Sequence, residues 1–420
     1  MPKKRILSPP SIWDVEVVSE RLLSAGIKQL HINKLYTELA KDPYIDLADV
    51  QNFPKEAKRL LDSEFVRMTS TCKSVKRSAD GETTKLLIEL QDGKSVEAVI
   101  MMYDTTKKGE RRQGQRQNDG ACGATDGELV SKDSENLQED EEESETASVP
   151  STSGKGKFGS KRYTLCVSSE VGCQMGCTFC ATGTMGLQAD LTSAEIIEQL
   201  VHARLRATPP RNIVFMGMGE PMNNYEQVRR AISLMIDGSV FRIRRQCVTL
   251  STVGVIPRIK QMAADLPGVS LALSLHAPNQ ELRQKIVPSA RAYKLDKLIG
   301  AVDYYQEMTK QKVFIEYVLL GPDFNCTSSH AHELGRLLRG KEVVVNVIPW
   351  NPILSPGFPY AAPPGEEVDE FLRILCLEYG LLATVRQEKG QDVGAACGQL
   401  VISSGSGGDG GKGKEIEDLI

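Results

Sequence analysis

Between residues 159 and 402 the chain alternates between two patterns. Short apolar runs rich in β-branched residues recur: "YTLCVSS", "NIVFMG", "CVTLST", "VSLALSL", "VFIEYVLL", "VVVNVIP" and "LLATVRQ". Between them lie stretches with apolar residues at helical spacing, such as "TSAEIIEQLVHARLR", "YEQVRRAISLMID", "LDKLIGAVDYYQEMTK", "SSHAHELGRLLR" and "EEVDEFLRILCLEYG". This alternation predicts βα units around a parallel sheet. Six or seven units suit an incomplete barrel of the TIM type. A doubly wound open sheet has the same pattern, and periodicity does not separate the two.

Residues 10–103 read as a small α+β unit. "WDVEVVSERLLSAGIKQLHINKLYTELA" and "PKEAKRLLDSEF" are helical in pattern, and "TTKLLIELQDGKSVEAVIMMY" gives two strands joined by a turn at "QDGK". Residues 104–158 have almost no large apolar side chain and run from basic to acidic to Ser and Gly. Such a stretch cannot bury enough surface to offset its ordering entropy, so a disordered linker is expected. Residues 403–420, rich in Gly and Ser, are expected to form a flexible tail.

With 420 residues the chain can hold two cores, and 40% hydrophobic with 25% charged residues is ordinary for a globular protein. The net charge of −4 gives no sign of a polyanionic partner, although an acidic segment can conceal basic surface elsewhere. No apolar run is long enough to span a bilayer. The first residues lack an apolar signal region and run into Asp14, Glu16 and Glu20. A cytoplasmic location away from membranes is expected, with organelle import left open.

Parallel α/β folds place ligands at the carboxyl ends of their strands. After the first apolar run come Cys173, Cys177 and Cys180; after the second, "GMGEP" with Gly219 and Glu220; after the third, Ser251. After the fourth come Ser274, His276 and Asn279, after the sixth "PWNP" with Asn351, and after the last "AACGQL" with Cys397. Polar or ligating groups at almost every strand end predict one shared site. Taken singly, Ser251 and Ser274 would be strand-end caps and His276 a satisfied core histidine.

Cys173, Cys177 and Cys180 form Cys-x3-Cys-x2-Cys within "CVSSEVGCQMGCTFCATG". A structural zinc site wants four closed ligands, usually from two separated pairs, and no second CxxC pair occurs. Three thiolates in one loop suit a 4Fe-4S cluster with one iron left open. Cys72, Cys247, Cys326 and Cys376 read as small buried apolar residues.

With these motifs the chain resembles the radical S-adenosylmethionine (SAM) superfamily and, within it, the RlmN/Cfr family of RNA adenine methyltransferases. The resemblance rests on "SVEAVI", "TLCVSSEVGCQMGCTFC", "GMGEP", "LSLHAP", "IPWNP" and "AACGQL" in order. It implies a partial (β/α)6 barrel with a small N-terminal α+β accessory domain that grips RNA. It implies that Cys173, Cys177 and Cys180 hold a 4Fe-4S cluster, and that Gly219, Glu220, Ser251, Ser274, His276 and Asn351 bind SAM. It also implies that Cys397 becomes S-methylated, that Cys166 resolves the protein–RNA adduct by a disulfide to Cys397, and that Glu97 moves a proton. The expected product is an adenosine methylated at carbon 2 in ribosomal RNA, transfer RNA or both. Methylation at carbon 8, as in Cfr, shares the motifs, and a non-catalytic cluster-bearing RNA-binding protein is the third reading. The implied partners are RNA and a reductant such as flavodoxin or ferredoxin, with the chain acting as a monomer. "KEAKR", "KSVKR" and "RIRRQ" are candidate RNA contacts, each on its own an ordinary solvated face. Near the end, "VRQEKGQDVGAACGQL" is less basic than the family's usual stretch: Arg386 and Asp392 persist, while Glu388 adds an acid.

Overall fold

The computed structural model describes residues 5–104, 161–353, 357–386 and 388–401. Apart from Asp104, the linker expected over 104–158 lies outside the described residues, as does the expected tail.

The N-terminal helices are α1 (Val15–Ser24), α2 (Gln29–Lys41) and α3 (Lys55–Glu64). The long helical pattern therefore splits in two. Gly26 at φ 78 takes the left-handed conformation that ends α1 without a Cβ clash. Strands β1 (Thr71–Arg77), β2 (Thr83–Glu89) and β3 (Ser95–Asp104) follow as an antiparallel meander. The expected turn at "QDGK" is present: Leu90 N–H donates to the Lys94 carbonyl at 2.7 Å, and Gly93 sits at φ 79. β1 escaped the sequence reading because it is a mostly exposed edge strand with little apolar alternation.

All seven apolar runs form strands. They are β4 (Lys161–Cys166), β7 (Asn212–Phe215), β8 (Val248–Thr252), β9 (Ser270–Ser274), β10 (Val313–Leu319), β11 (Val343–Pro349) and β12 (Leu382–Val385). Each pairs in parallel with the next. A separate hairpin, β5 (Glu170–Cys173) with β6 (Gly186–Asp190), was not foreseen. Helices α4 (Ser193–Arg204), α5 (Tyr225–Ile236), α6 (Ile256–Asp265), α7 (Gln280–Ile286), α8 (Leu295–Thr309), α9 (Ser328–Leu338) and α10 (Gly365–Arg373) fill the connections. Of these, α6 and α7 were missed: α6 carries a proline in its first turn, and α7 is seven residues long with only two apolar ones.

One ten-stranded ladder runs β1-β2-β3-β4-β7-β8-β9-β10-β11-β12, so the N-terminal meander extends the parallel sheet through the antiparallel β3–β4 pair. Five inter-strand steps separate β7 from β12, roughly 24 Å if the sheet were flat. Yet Arg386, just after β12, reaches the sulfur of Met216, just after β7, at 3.3 Å. The parallel strands therefore curl around a common interior, which decides for the incomplete barrel over the open sheet. Apolar side chains such as Ile197, Leu200, Val228 and Ile232 fill the space between helices and sheet.

A buried carboxylate ties the N-terminal unit to the barrel. Glu198 on α4 accepts from Ser11 Oγ at 2.6 Å and, at 2.9 Å each, from Thr69 N, Thr69 Oγ1 and Ser70 N. A buried acid is tolerable when its lone pairs are satisfied in this way.

Candidate active site

The three-cysteine loop is the tip between β5 and β6 rather than a simple extension of β4. Its neighbours hold it from both sides. Thr178 N–H donates to the Ile286 carbonyl at 3.0 Å, and Trp350 Nε1–H donates to the Phe179 carbonyl at 3.1 Å. Ala181 N–H donates to Gly398 at 2.8 Å, and Thr182 Oγ1 donates to Leu400 at 2.6 Å. The last two bonds fix the loop against the segment that carries Cys397.

A cavity opens at the carboxyl ends of the parallel strands. Cys173, Cys177 and Cys180 form one wall, and Gly219, Glu220, Ser251, Ser274, His276 and Asn351 the others. Cys397 closes it. The strand-end residues named from the sequence are thus brought together, except Asn279, which instead caps α7, accepting from Leu282 N–H at 2.9 Å and donating to Glu333 at 2.7 Å. Burial pushes the Cys173 thiol up to about 12 and Cys177 well above its usual value.

The polar walls are prearranged. Glu220 is buried, accepts from Met222 N at 3.0 Å and Val253 N at 2.9 Å, and is pushed by burial up to about 7. Gly219 at φ 101 is required by the protein itself, because a Cβ there would lie 2.5 Å from Glu170 Cβ. His276 sits at φ 61, a left-handed conformation that is costly for a non-glycine residue and typical of functional sites. Its Nδ1 accepts from Val318 N–H at 3.2 Å, which leaves Nε2–H as the donor of a neutral ring, and burial lowers its pKa to about 3. Ser251 and Ser274 share a hydroxyl contact at 3.3 Å.

A second cavity adjoins the first. Cys166, Val99, Met101, Tyr103, Arg386 and Cys397 line it. Cys397, far from Cys166 in sequence, is therefore a common wall of both cavities, while Cys166 belongs to the second. Both thiols are free. Burial raises Cys166 to about 12; Cys397 keeps an exposed side, its thiol is raised by partial desolvation, and Arg386 pulls the other way. Glu388 lines this cavity too.

Glu97 stands in neither cavity. Its carboxylate pairs with Lys85 at 2.9 Å and accepts from Val401 N–H at 3.0 Å, and burial raises its pKa. Three groups carry weight that the sequence did not disclose. Glu316 lines the first cavity beside Arg386. Arg283, fully buried, donates to the Val253, Leu275 and Ser274 carbonyls at 2.6, 3.1 and 3.2 Å and puts a positive charge near Cys177. Glu170 accepts from Glu220 N–H at 2.9 Å, and burial pushes it up to about 8. Of the scattered cysteines, Cys326 is buried as expected, whereas Cys72, Cys247 and Cys376 are half-buried.

The donor set fits a cluster and a SAM molecule. Three thiols without an imidazole or carboxylate among them favour iron–sulfur ligation. Among the described residues no three His, Cys, Asp or Glu side chains close around a single ion, as a mononuclear zinc site would require. Asn351 Oδ1 is buried on the cavity wall with no hydrogen-bond partner among the described residues, and Glu316 Oε2 there has only a long ion pair with Arg386 at 3.6 Å. Such acceptors call for a donor, and SAM offers an ammonium and ribose hydroxyls.

A curled parallel sheet with a three-thiol loop at its mouth defines a radical SAM enzyme, and residues 167–325 match the radical SAM superfamily. The ribosomal RNA large subunit methyltransferase N of Nitrosopumilus maritimus is 35% identical over 90% of this chain and 97% of that protein. The dual-specificity RNA methyltransferase RlmN 1 of Myxococcus xanthus is 34% identical over 89% of each. The crystal structure of a radical SAM methyltransferase from Sphaerobacter thermophilus superposes with a TM-score of 0.74 at 32% identity, covering 93% of this chain and 99% of that one. The chain belongs to the RlmN family of SAM-dependent RNA methyltransferases. Its cofactors are a 4Fe-4S cluster and SAM. No helix among the described residues is long and apolar enough to cross a membrane.

Proposed function

We propose that the chain methylates carbon 2 of an adenosine in large-subunit ribosomal RNA, transfer RNA or both, through an S-methylated Cys397. One observation carries this reading: Cys397 is the shared wall of the cofactor cavity and of the cavity that holds Cys166. A thiol so placed can meet SAM on one side and a substrate base on the other.

Cys173, Cys177 and Cys180 hold the cluster, and Gly219, Glu220, Ser251, Ser274, His276 and Asn351 orient SAM. When bound, the cluster supplies the electron that cleaves SAM to a 5′-deoxyadenosyl radical. The residues of the chain do the rest. Carbon 2 of adenine is electrophilic and non-acidic, so direct polar methyl transfer fails there. The Cys397 thiolate, the stronger nucleophile, takes a methyl group first. That methyl gives a hydrogen atom to the 5′-deoxyadenosyl radical, and its carbon bonds to carbon 2 of the base. The adduct gives up one electron and the carbon-2 proton. The Cys166 thiolate then attacks the Cys397 sulfur, and the sulfur–carbon bond breaks with its electron pair going to the carbon. That carbon takes up a proton to become the methyl group, while the disulfide formed is re-reduced by two electrons from the reductant. Arg386 holds negative charge on the thiols, and Glu97 keeps the segment after Cys397 in place through Val401.

Residues 10–103 act as the RNA-gripping accessory unit beside the barrel of residues 159–402. A flavodoxin- or ferredoxin-type protein supplies electrons, and the chain works as a cytoplasmic monomer. Mass analysis of nucleosides from RNA treated with the reduced enzyme and SAM tests the assignment. 2-Methyladenosine is expected; 8-methyladenosine would move the chain to the Cfr type of reaction, and unmodified RNA would refute catalysis.

A further inference from the structure

The opposite edge of the parallel sheet carries a feature that the site does not use. β4, β7 and β8 are adjacent and parallel, so their N-terminal ends share an edge away from the mouth. Arg162 lies at the start of β4, Arg211 directly precedes β7, and Arg244 and Arg245 precede β8. Arg211 N–H donates to the Tyr163 carbonyl at 2.9 Å, which sets the first two side by side. Arg244, Arg211 and Arg162 each pull down the pKa of the Cys247 thiol, against a larger rise from burial. Arg242 stands next to them in the left-handed conformation at φ 55, at the end of a tight loop closed by its own N–H to the Asp237 carbonyl at 3.0 Å.

Four of these cations have no carboxylate partner among the described residues. Arg211, Arg242, Arg244 and Arg245 are exposed. Their guanidinium contacts run to the Gly238 and Pro267 carbonyls. Elsewhere exposed cations do pair: Lys41 with Glu38, Arg59 with Glu56, Arg373 with Glu370. The acid in the same loop, Asp237, has its carboxylate taken by Ser239 N–H and Oγ at 2.7 and 2.6 Å. Gathering like charges costs repulsion, and arginine in particular presents a fork that matches phosphate oxygens.

We propose that this edge, formed by Arg211, Arg242, Arg244 and Arg245, is a second RNA-binding surface that holds phosphates of the substrate at a distance from the reacting base. The proposal rests on the RNA reading above and extends it. A strand of five residues with its flanking turn puts the edge roughly 20 Å from the mouth. A short stem–loop seated at the mouth does not reach it, whereas a folded RNA does.

The test uses the full-length holoenzyme and three in vitro transcripts: a tRNA, a domain-sized fragment of large-subunit rRNA, and the short stem–loop that carries the target base. R211E/R244E/R245E and R211Q/R244Q/R245Q are compared with wild type at several salt concentrations. A reversal at Lys260, Lys285 and Lys297 serves as the charge control, and cluster content with the melting temperature reports folding. On at least one long RNA, the Glu variant is expected to lose ten-fold or more in affinity and the Gln variant less. The slope of log K against log salt should fall by about 2 to 3, roughly one per lost phosphate contact. Stem–loop binding and the control variant should match wild type. Unchanged affinity and slope on both long RNAs in both variants would overturn the proposal while leaving the RNA reading intact. A wild-type protein that binds none of the three RNAs would overturn both.

Discussion

Arg386 and Glu316 meet inside the mouth of the curled sheet, Nη1 to Oε2 at 3.6 Å, on the side where Cys166 and Cys397 line the second cavity. Burial works against the charge of Arg386, but Cys397 and Glu316 outweigh it and hold the guanidinium pKa above its ordinary value. Glu316 is in turn held by Asn346 Nδ2 at 2.8 Å, and Asn346 Oδ1 faces Thr384 Oγ1 at 3.3 Å. A polar ladder thus crosses the barrel interior and ends on a cation beside two thiols.

Replacing Arg386 by Met removes the charge that favours the Cys397 thiolate. The thiol pKa then rises, less thiolate is present at any given pH, and the pH profile of Cys397 S-methylation should move upward by about one to three pH units. Intact-protein mass spectrometry after incubation with SAM at a series of pH values measures this. Arg386→Lys, which keeps the charge but loses the fork, should shift it less. An unmoved profile in the Met variant would show that Arg386 does not act on this thiol.

Changing Cys173, Cys177 and Cys180 together to Ala should abolish the brown colour of the anaerobic protein and its content of about four irons and four sulfides per chain. Cys166→Ala and Cys397→Ala should retain both. Stoichiometric zinc without sulfide in the wild type would refute the cluster assignment for these thiols.

The two other thiols should fail at different stages. Cys397→Ala has no thiolate to take the methyl group and should form no methylated adenosine. Cys166→Ala should accumulate RNA joined covalently through Cys397, seen as a nuclease-sensitive mass shift on a denaturing gel. Normal turnover by the Cys166 variant would exclude the disulfide step.

Glu97→Gln should weaken the fold near Cys397 by about 1–3 kcal/mol, since it discards the pairing with Lys85 and weakens the bond to Val401. A lower melting temperature and slower S-methylation of Cys397 are expected together. Lost turnover at an unchanged melting temperature would instead place Glu97 in proton transfer.

Much of this arrangement was legible in the chain. The seven apolar runs needed only β-branched composition to be read as strands, and the parallel topology then made their carboxyl ends the place to look. What stayed hidden had no periodic signature. β1 is an exposed edge with few apolar positions to betray it. Glu316 interrupts the apolar run "VFIEYVLL", and that interruption was the available hint of a charge facing the interior. Arg283 sits in a short helix among Glu, Gln and Lys, where nothing local distinguishes a buried guanidinium from a solvated one. Glu97 was found by its motif, but its partners Lys85 and Val401 come from the meander and the far end of the chain, contacts that only the folded sheet creates.

The pairing of Asp104 with Lys161 has a practical meaning. The chain leaves the sheet at the end of β3 and returns to it directly opposite, so a short hairpin turn can join the two strand ends. Exchanging residues 105–160 for a four-residue turn should raise stability by about 2 kcal/mol through the shorter closure, measurable by urea unfolding. The same geometry makes this a natural place to divide the protein. A piece ending at Asp104 and a piece beginning at Lys161 would each carry one half of the β3–β4 ladder, of the Glu198 tether and of the Glu97–Val401 bond. Co-expressed, they should reassemble into a working enzyme, a split pair whose activity reports their encounter.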